Sequence, residues 1–232
     1  MPRLITSTSV PLDIALRMLL NGAKTTIVLS VFSILLGLLI GLPVALMETY
    51  GGKTLRRVAM VYEGTLRGIP LLAIYFVIFY SMPMLIGLGL SPFLAAVVGL
   101  GIRSSAYQSQ IFRSGIQAVD EGQIEAALSL GMSQWQIIRH IVLPQALRMS
   151  IPAWMNEYVI VLKDTSIALA LGIVELTRQA TYLVSITAEP FRYYGLAALF
   201  YLAMVLPLTY LANWMGKRYG IKGTGGAMDV RL

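Results

Sequence analysis

Residues 125–144, EAALSLGMSQWQIIRHIVLP, form a polar, charged stretch between strongly apolar segments, and the fold is read outward from them. Asp120 stands at an N-cap position and Gln123 at the third helical position, the spacing of a reciprocal capping pair. Val119 and Ile124 have the spacing of the accompanying hydrophobic staple. Ala126 and Ala127 favour helix with little bulk, so another surface can approach closely. Gly131 suits the left-handed residue that ends a helix. Ser133 with Gln136 repeats the capping pattern, and Met132 with Ile137 repeats the staple. Pro144 is expected to limit the second helix. The stretch therefore predicts a short helix, a glycine turn, a second short helix and a stop.

Composition sets the surroundings. The chain has 232 residues, 57% hydrophobic and 12% charged, against about 25% charge in soluble domains. An integral membrane protein is the first reading. The length allows one helical bundle without an additional soluble catalytic domain. The net charge of +7 comes from basic residues lying between apolar segments. This pattern fits membrane orientation, not nucleic-acid binding. There is no cysteine, and His140 is the single histidine. A disulfide framework, a thiolate or His-based metal site and Cys/His or Ser/His/Asp catalysis are therefore set aside. The start, MPRLITSTSV, lacks the apolar core and cleavage site of a signal peptide, so the first apolar segment is expected to stay in the mature protein.

Along the chain, Leu12, Ile14, Ala15, Met18 and Leu19 recur at helical spacing, interrupted by Asp13 and Arg17; residues 1–20 read as a short amphipathic surface helix. Residues 25–47 are uncharged and exceed the roughly 20 residues that cross a bilayer core. Gly37 and Gly41, four apart, would permit close helix contact. Residues 48–67 read as a charged connection, and residues 69–90 as a second span. Ser91-Pro92 provides an N-cap and first-turn proline for a third helix. That helix is apolar through Ile102 and then turns polar over residues 103–110, RSSAYQSQ. A lipid-facing helix does not carry such a run, so it is expected to face protein or a wet cavity. Residues 149–162 form a moderate span with Pro152, Asn156 and Glu157. Residues 167–174 are apolar but too short to cross. Residues 193–216 are the last span, and 217–232 read as a flexible tail.

Orientation follows from Lys and Arg. If the first connection is cytoplasmic, that side holds Lys53, Arg56, Arg57, Arg67, Arg113, Arg139, Arg148, Lys217, Arg218, Lys222 and Arg231. Arg3, Arg17, Lys24, Arg103, Lys163, Arg178 and Arg192 are left to the other side and the interior. This bias favours an outside N-terminus, an inside C-terminus and an odd number of spans. Hydropathy supports the first, second and last spans directly.

Glu125, Ala126, Ala127, Gly131, Ile141, Leu143 and Pro144 match the pattern Glu-Ala-Ala, three residues, Gly, nine residues, Ile-x-Leu-Pro. The stretch thereby resembles the cytoplasmic coupling loop of prokaryotic ABC-importer permeases. Arg67-Gly-Ile-Pro70-Leu-Leu, Ala106-Tyr107 with Arg113, Gly122-Gln123, Pro144-Gln145-Ala146, Asn156-Glu157 and Lys163-Asp-Thr-Ser166 resemble the polar amino-acid branch, of the histidine, glutamine and arginine type. Coverage runs from about Gly22 to about Lys217. Gln110 departs from the branch's usual Glu, Ile74 from a frequent Gln, and Arg103 from a position that is often Asn.

The resemblance implies an all-α membrane protein with a five-span bundle of the type I importer kind, N-terminus out and C-terminus in. A single domain is expected over 1–232, with a core at 20–216, the cytoplasmic loop at 118–144 and the tail at 217–232. It also implies a multi-pass location in the prokaryotic plasma membrane. The implied partners are an ATPase subunit dimer, a second permease (identical or paralogous), an extracytoplasmic solute-binding protein, membrane lipid and an amino acid substrate. No phosphate-binding Gly-x-x-x-x-Gly-Lys-Ser/Thr loop occurs, so this chain is not itself expected to bind a cofactor. ATP and Mg would belong to the ATPase partner. Glu125, Ala126, Ala127, Gly131, Ile141, Leu143 and Pro144 would couple to it.

An amino acid needs donors for its carboxylate and an acceptor for its ammonium. Arg103, about 16 Å along a helix starting at Pro92, offers a fork for a carboxylate. Its rival role is pairing with Glu157 or Asp164. Ser104, Tyr107 and Gln110, at spacings of three, could line a path or bond between helices. Glu157 and Asp164 are candidate acceptors; pairing with Arg103 or Lys163 is the alternative. Thr165 and Ser166 are candidates at the start of the short apolar segment, either presenting free amides to a carboxylate or serving as simple caps. The rival functions are a same-superfamily permease for an opine or betaine, an ion-driven carrier, and a scaffold or membrane-embedded enzyme. A carrier would usually show two repeated halves, which are not evident. A scaffold has no need for the polar run, and an enzyme would need a nucleophile or metal site that is not evident.

Overall fold

The computed structural model describes residues 10–87 and 89–219, and the regular structure among them is helical. Arg3, Lys222, Arg231 and the tail from 220 onward lie outside the described residues. α1 runs unbroken from Leu12 to Tyr50. The surface helix and first span expected as separate pieces are thus one rod of 39 residues, about 58 Å long. No proline interrupts it before Pro43. Gly22 lies so close to Leu176 that a Cβ there would come within 2.8 Å of the Leu176 Cα. The absence of a side chain lets the rod pass the neighbouring segment without bending.

α2, Lys53–Gly68, occupies most of the expected connection. It meets the next helical stretch, Leu71–Ile86, at 103°. Pro70 fixes the corner: it forces an extended residue before it, and Ile69 is extended. The second stretch comprises α3, Leu71–Phe76, a π turn at Val77–Ser81 and α4, Met82–Ile86. Gly87, at φ +69°, ends it.

α5, Pro92–Gln117, begins as expected, with the Ser91 hydroxyl accepting from the Leu94 amide at 3.3 Å. α6, Glu121–Ser129, and α7, Gln134–Ile137, flank Gly131, which has φ +77°. Pro144 does not end the second helix. A π turn at Ile138–Val142 carries it into α8, Leu143–Asp164. Both π turns are followed, two residues on, by a proline, Pro83 and Pro144. A proline lacks an amide and crowds the carbonyl four residues earlier. Widening the preceding turn absorbs both defects.

A 3₁₀ turn, Thr165–Leu171, closes on Gly172 at φ +83°. It corresponds to the short apolar segment. α9, Leu176–Thr187, had no counterpart in the sequence reading. α10, Pro190–Tyr219, is the last helix. Among the described residues, only α1, α10 and, taken as a bent pair, residues 53–86 are long and apolar enough to cross a membrane by composition. α5 and α8 have 26 and 22 residues, about 39 and 33 Å, but are too polar to pass.

Three clusters hold the bundle. Leu29, Tyr75, Leu100 and Val161 lie in the middle one. Leu19, Leu176, Leu183 and Tyr193 form a cluster at the start of α1. Ala45, Phe112, Ile137, Val142 and Ala146 form another at the far end of α1, under α6 and α7. α5 is the central helix. It packs on α1 where Gly37 and Gly41 leave room: a Cβ on Gly41 would come within 2.7 Å of the Ser105 carbonyl, and one on Gly37 would overlap the Gln108 amide. This is the close contact that the glycine spacing permitted.

Candidate functional site

The polar run of α5 is buried and partnered. Ser104, Ser105, Gln108 and Ser109 are almost fully enclosed, where an unpaired polar group would cost about 1–3 kcal/mol. Gln108 is the hub. Its Nε2 donates to the Ile34 carbonyl and to Ser104 Oγ, both at 3.1 Å, and its Oε1 accepts from the Trp154 indole at 2.7 Å. Ser104 donates to Glu157 Oε1 at 2.7 Å. The Ser105 and Tyr62 hydroxyls are 2.6 Å apart. α1, α2 and α8 are thereby pinned to α5 at fixed rotation.

Beside this hub lies a charged cluster. Arg103 Nη1 is 2.7 Å from Asp164 Oδ2, and the two side chains are 21% and 24% exposed. The Tyr107 ring holds two guanidiniums, with Arg103 Cζ 5.1 Å and Arg67 Cζ 5.4 Å from its centroid. Arg67 also pairs with Glu63 at 3.2 Å. Glu63 accepts from Ser109 and Gln110. Two arginines thus face two acids, while Glu157 has no cation within ion-pair distance among the described residues. Below the cluster, a cavity of about 370 Å³ between α5 and α8 is lined by Tyr107, Gln110, Ser114, Ser150 and Glu157, among others. Glu157 is the one charged residue of that lining; the Arg103–Asp164 pair lies beside the cavity, joined to it through the Tyr107 ring.

Six of the expected residues, Arg103, Ser104, Tyr107, Gln110, Glu157 and Asp164, belong to this connected polar region. Arg103 takes Asp164 as partner. Glu157 accepts from Ser104 and forms no ion pair with Arg103 or Lys163. Thr165 does not cap a helix start: α8 runs directly into the 3₁₀ turn, and the buried Thr165 hydroxyl donates to the Leu162 carbonyl at 2.7 Å. Ser166 likewise lies inside that turn, so neither residue presents a fresh helix N-terminus. The sequence reading missed Glu63, the acceptor shared by α2 and α5. Its signal was the Glu63–Arg67 pair at i, i+4 on a helix, hidden because α2 was read as a connection.

The second polar region is α6 and α7. Asp120 caps α6 through the Gln123 amide at 3.3 Å, but the reciprocal half is absent: Gln123 Oε1 instead accepts from Gln145 Nε2 at 2.7 Å. Ser133 and Gln136 form the complete capping box. Ala127, Ile137 and Val142 are buried against the bundle, while Glu125 and Ala126 are exposed. So are Leu128, Leu130 (83%) and Trp135 (63%). Gly131 and Pro144 are also exposed, and Ile141 and Leu143 are half-buried. Arg113 pairs with Glu48 at 2.6 Å just above this region and ties the end of α5 to the end of α1.

Residues 33–220 match the family of binding-protein-dependent transport system inner membrane components. The glutamine transport system permease protein GlnP of Escherichia coli (strain K12) is 36% identical over 208 residues, which cover 89% of this chain and 95% of that protein. The nopaline transport system permease protein NocM of Agrobacterium fabrum is also 36% identical over 208 residues, covering 84% of this chain and 86% of that one. Among solved structures, a chain of an amino acid ABC transporter crystallised with histidines superposes with a TM-score of 0.81. It is 36% identical, and the match covers 91% of this chain and all of that chain.

Proposed function

This chain belongs to the binding-protein-dependent transport system inner membrane components and is the permease subunit of a bacterial ABC amino acid importer; from that premise we propose how its two polar regions divide the work. ATP hydrolysis belongs to a separate subunit. The α6–α7 hairpin docks on that ATPase, which carries the ATP and Mg. Glu125, Ala126 and Ala127, the Gly131 turn, and Ile141, Leu143 and Pro144 form the coupling element. The observation that carries this reading is the exposure of Leu128, Leu130 and Trp135 beside Glu125, on a hairpin whose other face is packed into the bundle. Large apolar side chains grouped at a helical end, rimmed by polar residues, mark a protein interface.

The cleft between α5 and α8 is the substrate path. Arg103 takes the amino acid carboxylate, Asp164 and Glu157 take its ammonium, and Ser104, Tyr107 and Gln110 line the wall. Thr165 and Ser166 support it from behind. Substrate entry exchanges the Arg103–Asp164 pair for two pairs with the zwitterion. Glutamine or histidine suits a cleft with balanced charge. An opine is the second reading, favoured by the equal identity to the nopaline permease.

Five spans, with the N-terminus outside and the C-terminus inside, fit this division. The start of α1 packs with α9 and the start of α10, and the end of α1 packs at the coupling hairpin. α1, the α3–α4 stretch, α5, α8 and α10 would cross. The domain is single, with the hairpin region at 118–144. A second permease, identical or paralogous, completes the path, and a solute-binding protein delivers substrate to the α9 end. ATP-driven closure of the ATPases pushes the hairpin and switches the cleft from inward- to outward-facing. Mild-detergent purification from the native membrane with mass spectrometry of the eluate tests the reading. An ATPase and a permease partner are expected; a permease that emerges alone from several mild detergents contradicts it.

A further inference from the structure

On another face of α8, roughly a third of a turn round from the substrate cleft, lies an apolar cavity of about 410 Å³ between α1, α5, α8 and α10. Leu38, Phe112, Leu147, Ile151, Trp154 and Met215 line it, and Arg148 is its one charged lining residue. Its floor is fixed: the Trp154 indole is held by Gln108, inside the buried network. Its rim is open, since Leu147 and Arg148 are exposed. Arg148 has no acid partner or hydrogen bond among the described residues. Lys217, two residues beyond Met215 on α10, adds a second exposed cation at the same end.

We infer that this groove is a binding site for an anionic diacyl phospholipid, one acyl chain filling the cavity between α1, α8 and α10 and the phosphate resting on Arg148. Size, apolarity and charge all point to that occupant. The volume is that of a small-molecule pocket. The lining gives a peptide or amino acid nothing to bond except one cation. An apolar slot ending in unpaired basic side chains near the membrane surface matches a lipid chain continued by a phosphate. The groove also gives a partner to Arg148, which has none among the described residues, and it places the lipid against Trp154, one bond from the hub that holds α1 on α5.

The inference rests on the reading of α8 as a span starting at the cytoplasmic surface, but its test does not use the ATPase. The purified complex, stripped of lipid by detergent exchange, is titrated with phosphatidylglycerol and with phosphatidylcholine of the same chains. Bound lipid per permease is counted by native mass spectrometry. Phosphatidylglycerol should bind about fivefold more tightly, the worth of one basic group beside an anionic headgroup. Arg148→Gln, at an exposed position, should bring the two lipids level. Ile151→Trp, which fills the cavity, should lower binding of both; if that variant fails to assemble, Leu147→Trp at the exposed rim takes its place. Inorganic phosphate should not displace the lipid. Equal binding of the two lipids by the natural chain, an unchanged preference in Arg148→Gln, displacement by phosphate alone, or a partner helix found lying in the groove would each overturn the proposal. If the lipid preference holds while no ATPase co-purifies, the docking role of the hairpin fails and the lipid site stands.

Discussion

The hairpin of α6 and α7 and the cleft between α5 and α8 are both polar regions of an apolar chain, yet they are built in opposite ways. The hairpin is made from neighbours. Its caps join residues three apart, and its turn depends on one glycine with φ +77°. Its outward side chains Leu128, Leu130 and Trp135 are exposed, as the proposed docking role requires. The cleft is made from distant partners: Ser104 with Glu157, Arg103 with Asp164, and Gln108 with both Ile34 and Trp154. Its groups satisfy one another within the chain. A docking surface can be specified locally because its energy is completed by the partner. A path through a membrane must be satisfied before the substrate arrives, because an orphaned charge or amide there is costly.

The largest expected effect breaks the hairpin alone. In Gly131→Val a β-branched residue must adopt a left-handed backbone, which costs roughly 1–2 kcal/mol, and the helix directions change. Transport should be abolished while the protein remains in the membrane; normal transport-coupled ATPase activity in this variant would contradict the docking role.

Next is the cleft's exchangeable pair. Arg103→Gln should weaken substrate binding to the purified complex by about tenfold, the worth of roughly 1.4 kcal/mol in a charge-assisted contact. Asp164→Asn combined with it should restore thermal stability without restoring binding. Unchanged affinity in the single variant would make the pair purely structural.

Gln108→Leu sharpens the comparison. It leaves the Trp154 indole without its acceptor and removes the tie to the Ile34 carbonyl of α1, and should lower stability by about 1–3 kcal/mol, read as a lower unfolding temperature. The hairpin should be untouched, so the variant should still retain the ATPase at low temperature. The smallest effect is expected from Leu130→Ser: no change in the melting of the isolated permease and a modest loss of ATPase affinity. A lower melting temperature would mean that Leu130 packs within the chain.

The same division explains what the sequence revealed. The Asp120 and Ser133 caps, the Ser91-Pro92 start and the Gly131 turn are local, and each is present. The Gly37 and Gly41 pair was visible, but its purpose was not, because the Gln108 amide that needs the space is far along the chain. The π turns before Pro83 and Pro144 were not legible. Pro144 reads as a stop and Pro83 falls inside the second span; neither announces the widened turn that precedes it. α9 was missed because its cap is Glu175 rather than a Ser, Thr, Asp or Asn. That glutamate is buried and accepts from the Thr177 and Arg178 amides and from Tyr201 of α10. In the cleft, the polar run announced itself, while the choice of Asp164 over Glu157 for Arg103 and the role of Glu63 depend on how α8 and α2 are turned.

The most direct test of the account uses the lack of cysteine in the natural chain. A single cysteine is placed either in the hairpin, by Ala126→Cys, or at the opposite end, by Ser185→Cys in α9, and each complex is cross-linked to its co-expressed ATPase with a short thiol-to-amine reagent. The account predicts a permease–ATPase product from Ala126→Cys and none from Ser185→Cys. A product from Ser185→Cys, or none from Ala126→Cys in a complex that still transports, would contradict the assignment of the hairpin as the coupling surface.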